Sequence, residues 1–146
     1  MSDPVEYVRI IEGEPLPDIA AHAPFRAVVI IDASYSQDWQ NEVSVWLVAS
    51  GCLYMMAWGE GCSSWDDSVD WANIDRFAYL EIPADEFVMT TWHEQQKLDD
   101  VFWEAHFAAD HGDVALGCSL IVDISAVDRR DEMLSRFLAA RDQPCD

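Results

Sequence analysis

Basic side chains are scarce in this sequence: 8 Lys and Arg stand against 28 Asp and Glu, and none occurs between Arg26 and Arg76. Nucleic acids and anionic lipids are held mainly by Lys and Arg, so a formal charge of -20 argues against both and points to basic partners. The plainer reading is that acidity keeps a Trp-rich chain in solution. Long apolar runs are missing too. None approaches the roughly 20 residues needed to span a bilayer, and the opening MSDPVEYVR has acids where a secretory leader has bases. A cytoplasmic protein with no membrane partner is expected. Cys52, Cys62, Cys118 and Cys145 show no C-x-x-C spacing, so free thiols are the expectation.

What is present is enough for a core. At 146 residues and 51% hydrophobic, the chain suits one domain. Pro4, Pro15, Pro17 and Pro24 exclude a long helix in residues 1–24, which read as a wrapping arm with a short extended piece near Tyr7 to Ile11. An α/β domain over 25–141 and a tail over 142–146 then follow.

Phe25 to Ile31 is a continuous, mostly β-branched run, as in a strand covered on both faces. Ser36 caps a helix with Trp39, Val43, Trp46 and Leu47 inward, and Gly51 stops it. Cys52 to Trp58 reads as a second strand, and the acidic connection after it as a short helix capped by Ser64 with Asp66 and Asp67 in the first turn. Phe87 to Trp92 reads as a strand, Leu98 to Ala109 as a helix, Leu120 to Ile124 as a strand and Asp128 to Ala140 as a helix. Alternation of this kind predicts a four-stranded, mainly parallel sheet with helices on both faces, a Rossmann-like or flavodoxin-like three-layer fold. Its strand-end connections share one rim, where ligands bind.

The connection GEGCSSWDDSVDWAN, residues 59–73, is the densest in chemistry. Gly59-Glu60-Gly61 imitates a nucleotide loop, but Ser64 replaces the third Gly and three nearby acids oppose a phosphate. Asp66-Asp67-Ser68-Val69-Asp70 spells a D-D-x-x-D that could hold a divalent ion, against the simpler reading of a solvated helix start. His93-Glu94 lacks the second His of a helical zinc pair, since Lys97 stands four positions on. No metal or cofactor is expected.

The runs Ser50 to Gly59, Trp65 to Asn73 and Met89 to Glu94 resemble a family of small acidic bacterial proteins known only as a domain of unknown function, over roughly residues 25–125. That resemblance implies the same α/β unit and a bacterial source; it brings no activity.

Two functions therefore stand side by side. The leading expectation is a non-enzymatic binding module, an inhibitor, immunity or accessory protein, that docks a basic partner through Glu60, Trp65, Asp66, Asp67, Asp70, Trp71, Trp92 and Glu94. The alternative is a small hydrolase or nucleotide-processing enzyme with Cys62 as nucleophile, His93 as base and Asp32 orienting it. Self-association through the same edge would have to keep the acids at the rim.

Overall fold

The computed structural model describes residues 4–142. Its five strands are β1 (Val5–Ile10), β2 (Phe25–Ile31), β3 (Cys52–Gly59), β4 (Met89–His93) and β5 (Cys118–Ile124). Four helices accompany them: α1 (Gln37–Ser50), α2 (Cys62–Arg76), α3 (Leu98–Phe107) and α4 (Arg130–Ala140). The strand order is β1-β5-β2-β3-β4, and every ladder is parallel. The α/β class with helices on both faces is as expected, but the sheet has five strands rather than four. The extra strand lies in the segment read as an arm, where Val5 to Ile10 pairs residue for residue with Ser119 to Ile124. Among the described residues, no helix is long and apolar enough to cross a membrane.

β2 and β5 are buried along their whole length, which is why their runs do not alternate. One face of β2, through Ala27, Val29 and Ile31, packs beneath α1 and α2, with Val43, Leu47, Trp65 and Val69 filling the layer. Val28 and Ile30 on the other face meet Phe102, Ala105, Met133 and Phe137 of α3 and α4. The chain moves outward from β2 to β4 beneath α1 and α2, then returns through α3 to β5 on the far side of β2. The order thus reverses between β2 and β5.

α1 begins and ends as its sequence predicts. Ser36 Oγ accepts from the Trp39 N–H at 3.3 Å, and Gly51 closes the helix in the left-handed region at φ 103°. α2 departs from expectation: it is a 15-residue helix starting at Cys62, with no side-chain cap. Ser64 is therefore inside it, and Asp66 and Asp67 lie beyond the first turn, where the terminal amides no longer favour their charge.

Asp123 is fully buried at the end of β5. It accepts from Tyr7 Oη at 2.6 Å and from Arg129 Nε at 3.1 Å, while the Arg129 N–H donates to the same Tyr7 oxygen at 3.0 Å. One carboxylate thus ties edge strand β1, its neighbour β5 and the entry to α4. Burial, and next Asp123, push the Tyr7 hydroxyl up to about 12. Replacing Arg129 with Met should destabilise the fold by about 2–4 kcal/mol, since a buried carboxylate loses its counter-charge while some solvent still reaches the site. Adding Asp123→Asn should recover part of that loss in urea unfolding. Equal stability of wild type and Arg129→Met would show the pair to be incidental.

Candidate functional site

Parallel strands send all their C-terminal ends to one rim, and the turn from β3 into α2 is made there by backbone that only glycine accepts easily. Gly59 has φ 112°, and a Cβ on it would sit 2.2 Å from the Ile31 carbonyl oxygen. Gly61, at φ 65°, lets Cys62 open the helix at once. Between this turn and the one after β4 lies an open cavity of about 480 Å³, lined among others by Trp58, Glu60, Cys62, His93, Glu94 and Gln96. The connections around residues 60 and 93 therefore meet at the same end of the sheet.

Cys62 and His93 line this cavity together, but they approach it from different layers. Cys62 is buried in the layer beneath α1 and α2. His93 pairs in register with Trp58, which packs toward α3. The ring is also engaged elsewhere: Nδ1 lies 2.6 Å from Gln96 Oε1 and 3.2 Å from Glu104 Oε2, and Nε2 lies 2.9 Å from Thr91 Oγ1. A neutral ring protonated at Nδ1 donates to Gln96 and accepts from the Thr91 hydroxyl. Asp32 is exposed, accepts from Tyr35 and does not line the cavity. The carboxylate beside His93 is that of Glu104, on α3. Sequence reasoning missed it, and an acid beside the buried stripe of α3, past Asp99 and Asp100 of its first turn, was the only signal.

The residues expected to dock a partner divide among five settings. Glu60 and Glu94 are exposed on the rim cavity. Asp67 and Trp71 line a groove of about 380 Å³ between α1 and α2, with Gln37, Asn41 and Val45 opposite. Trp71 is 58% exposed, and Trp92, on β4, is 53% exposed. Trp65, in contrast, is 2% exposed and stacks edge-on against Trp39 at 6.1 Å between ring centres, so it belongs to the core. The sequence reading also passed over Val45, Phe87 and Met89, all exposed apolar residues near the two tryptophans in α1 or around β4.

Asp66 and Asp70 occupy the seam between α2 and β4. Asp70 Oδ1 accepts from Thr90 Oγ1 at 2.7 Å. Asp66 is only 4% exposed, and its Oδ2 has no hydrogen-bond partner. Desolvation, and next the charge of Asp70, push its carboxyl up to about 6 from an ordinary 3.8. Between those values the folded chain keeps a proton that the unfolded chain has released, so this group makes stability fall as pH rises through the window.

Asp66→Asn should accordingly stabilise the protein at pH 8, by on the order of 1–3 kcal/mol, and change it little at pH 4. Urea unfolding at the two pH values, with EDTA present, measures the difference. A gain larger at pH 4 than at pH 8 would contradict the assignment of the strain to the ionised Asp66.

Neither the curated proteins nor the solved structures yield a match to this chain. The family described as Domain of unknown function (DUF7684) matches residues 5–140, which takes in β1 and α4 as well as the central runs. With five strands, four helices and the acidic rim all inside that match, the chain belongs to this family.

Proposed function

We propose that the protein is a non-enzymatic binding module that docks a basic protein partner on the edge formed by α2 and β4. The observation that carries this reading is the exposure of Trp71 and Trp92, 58% and 53%, beside the exposed carboxylates of Glu60, Asp67 and Glu94. Large aromatics in such a setting are what anchor protein interfaces once water is displaced, while surrounding charge selects the partner and speeds encounter. A second feature favours the same edge. Among the described residues β4 has a strand on one side only, and its five residues MTTWH carry no Lys, Glu or Pro to blunt the other side. Trp65 and Asp66 are buried, so the contact residues of this reading are Glu60, Asp67, Asp70, Trp71, Trp92 and Glu94. An inhibitor, immunity or accessory protein would use a surface of this kind.

The test is capture of a partner from extracts of the native host on immobilised protein, at low and high salt. Wild type should retain a basic protein that elutes as salt rises; Trp71→Ala with Trp92→Ala should lose it more than about tenfold, as hot-spot residues do. Asp67→Lys with Glu94→Lys should lower capture mainly at low salt. Retention that survives both pairs of substitutions would rule the edge out.

A further inference from the structure

We propose that Asp66, Asp67 and Asp70 form a binding site for one hard divalent cation, Mg²⁺ or Ca²⁺, on α2 at its seam with β4. One carboxylate oxygen from each of the three lies within 4.8 Å of the others. Oxygens about 2.0–2.6 Å from a Mg²⁺ or Ca²⁺ ion are separated by about 3–5 Å, so three such groups can share one ion without rearranging the helix. Spacing alone would not distinguish this cluster from any acidic helix face. What does so is Asp66, whose Oδ2 is enclosed and unpartnered while the residue is 4% exposed. A buried carboxylate oxygen is normally hydrogen-bonded, because leaving it bare costs on the order of 1–3 kcal/mol or more. Here the groups near it include two further carboxylates and the Thr90 hydroxyl, which donates to Asp70 and also lies within reach of the Asp66 carboxyl, while Oδ2 stays bare. A cation satisfies all three acids at once.

The rest of the setting suits a hard ion. The donors are oxygen, with no sulfur or imidazole among the three. Thr90 holds the Asp70 carboxylate in place by donating to Oδ1, leaving its other oxygen for the ion. Asp67 is exposed, so water can complete the coordination shell. The site shares Asp67 and Asp70 with the proposed docking surface, but its test does not depend on that surface: the protein alone binds the ion, and the experiment contains no partner.

The probe is Tb³⁺, an oxygen-seeking ion whose emission is excited through nearby indoles, which Trp65 and Trp71 supply on the same helix. Wild-type protein should show saturable, Trp-sensitised emission with one dominant site, displaced by millimolar Ca²⁺ or Mg²⁺ but not by K⁺. Asp66→Asn and Asp70→Asn should each weaken that site at least about tenfold, as loss of a ligand or its support does. Asp131→Asn, an exposed acid on α4, should leave it unchanged. Both asparagine variants are near-isosteric, and circular dichroism verifies that they remain folded. Emission that is not saturable, that resists Ca²⁺ and Mg²⁺, or that is the same in both variants as in wild type would overturn the proposal.

Discussion

Because every ladder in this sheet is parallel, no strand can reach its neighbour by a hairpin. Each must be re-entered from the opposite end, and the helices that carry the chain back cover the two faces. This constraint decides where the chemistry goes. The turn out of β3 and the turn out of β4 open at the same end, so Glu60, Cys62, His93 and Glu94 line one cavity although some 30 residues separate the two turns. The same constraint runs α2 antiparallel to its flanking strands, which lays Asp66 and Asp70, in its second and third turns, alongside β4 rather than at the rim. The topology thus separates two features that the sequence presents as one: a thiol and imidazole at the strand ends, and a carboxylate seam along the sheet edge.

The two features differ in energy as well as place. At the rim, most polar groups are matched: His93 is held through Gln96 and Thr91, and Trp58 Nε1 donates to the Gln96 carbonyl at 2.8 Å, while Glu104 Oε2, 3.2 Å from His93 Nδ1, is buried without a hydrogen bond. Asp123 shows the same economy deeper in the sheet, where Arg129 and Tyr7 compensate its burial. Asp66 is different. It is desolvated, it stands beside a like charge, and one of its oxygens is bare. A protein that can neutralise a buried acid with arginine in one place has left another uncompensated, on the same molecule and at a cost to stability. Such unrelieved charge is characteristic of places where something else binds.

How much of this could be read from residues depends on what set each feature. β2 and β5 were visible because burial on both faces leaves an unbroken apolar run, and α1 because Ser36 and Gly51 mark its ends by local hydrogen bonding and backbone conformation. β1 was obscured by the prolines around it, at 4, 15, 17 and 24, and by its edge position, which leaves Glu6 exposed and Val5, Val8 and Arg9 half-buried, so its alternation is weak. The start of α2 was misplaced because Gly61 enters the helix through a left-handed turn, with no serine capping it. That error of three residues matters. It moved Asp66 and Asp67 from a solvated first turn to the body of a packed helix, and only the packing shows that Trp65 faces the core while Trp71, six positions on, faces out. Glu104 was beyond reach for a different reason. Its partner His93 is met across a loop and a helix, and no local pattern records that meeting.

The large negative charge has a simple explanation in solubility, but solubility does not require that acids be buried, nor that tryptophans be left out. A charge that only solvates is best placed on long, exposed side chains, where hydration is free and neighbours are far. On α2 the arrangement runs the other way: short aspartates are crowded within one turn and a residue of it, one of them is shut away from water, and a large indole next to them is exposed. The burial and crowding of Asp66 raise the energy of the isolated protein relative to an Asn in the same position. Asp66 and Asp70 lie against β4, which among the described residues is paired on one side only, while Asp67 and Trp71 line the adjoining groove between α1 and α2, so a positively charged contact on α2 would relieve the crowded charge. Solubility accounts for the sign of the charge; it does not account for that coincidence of position.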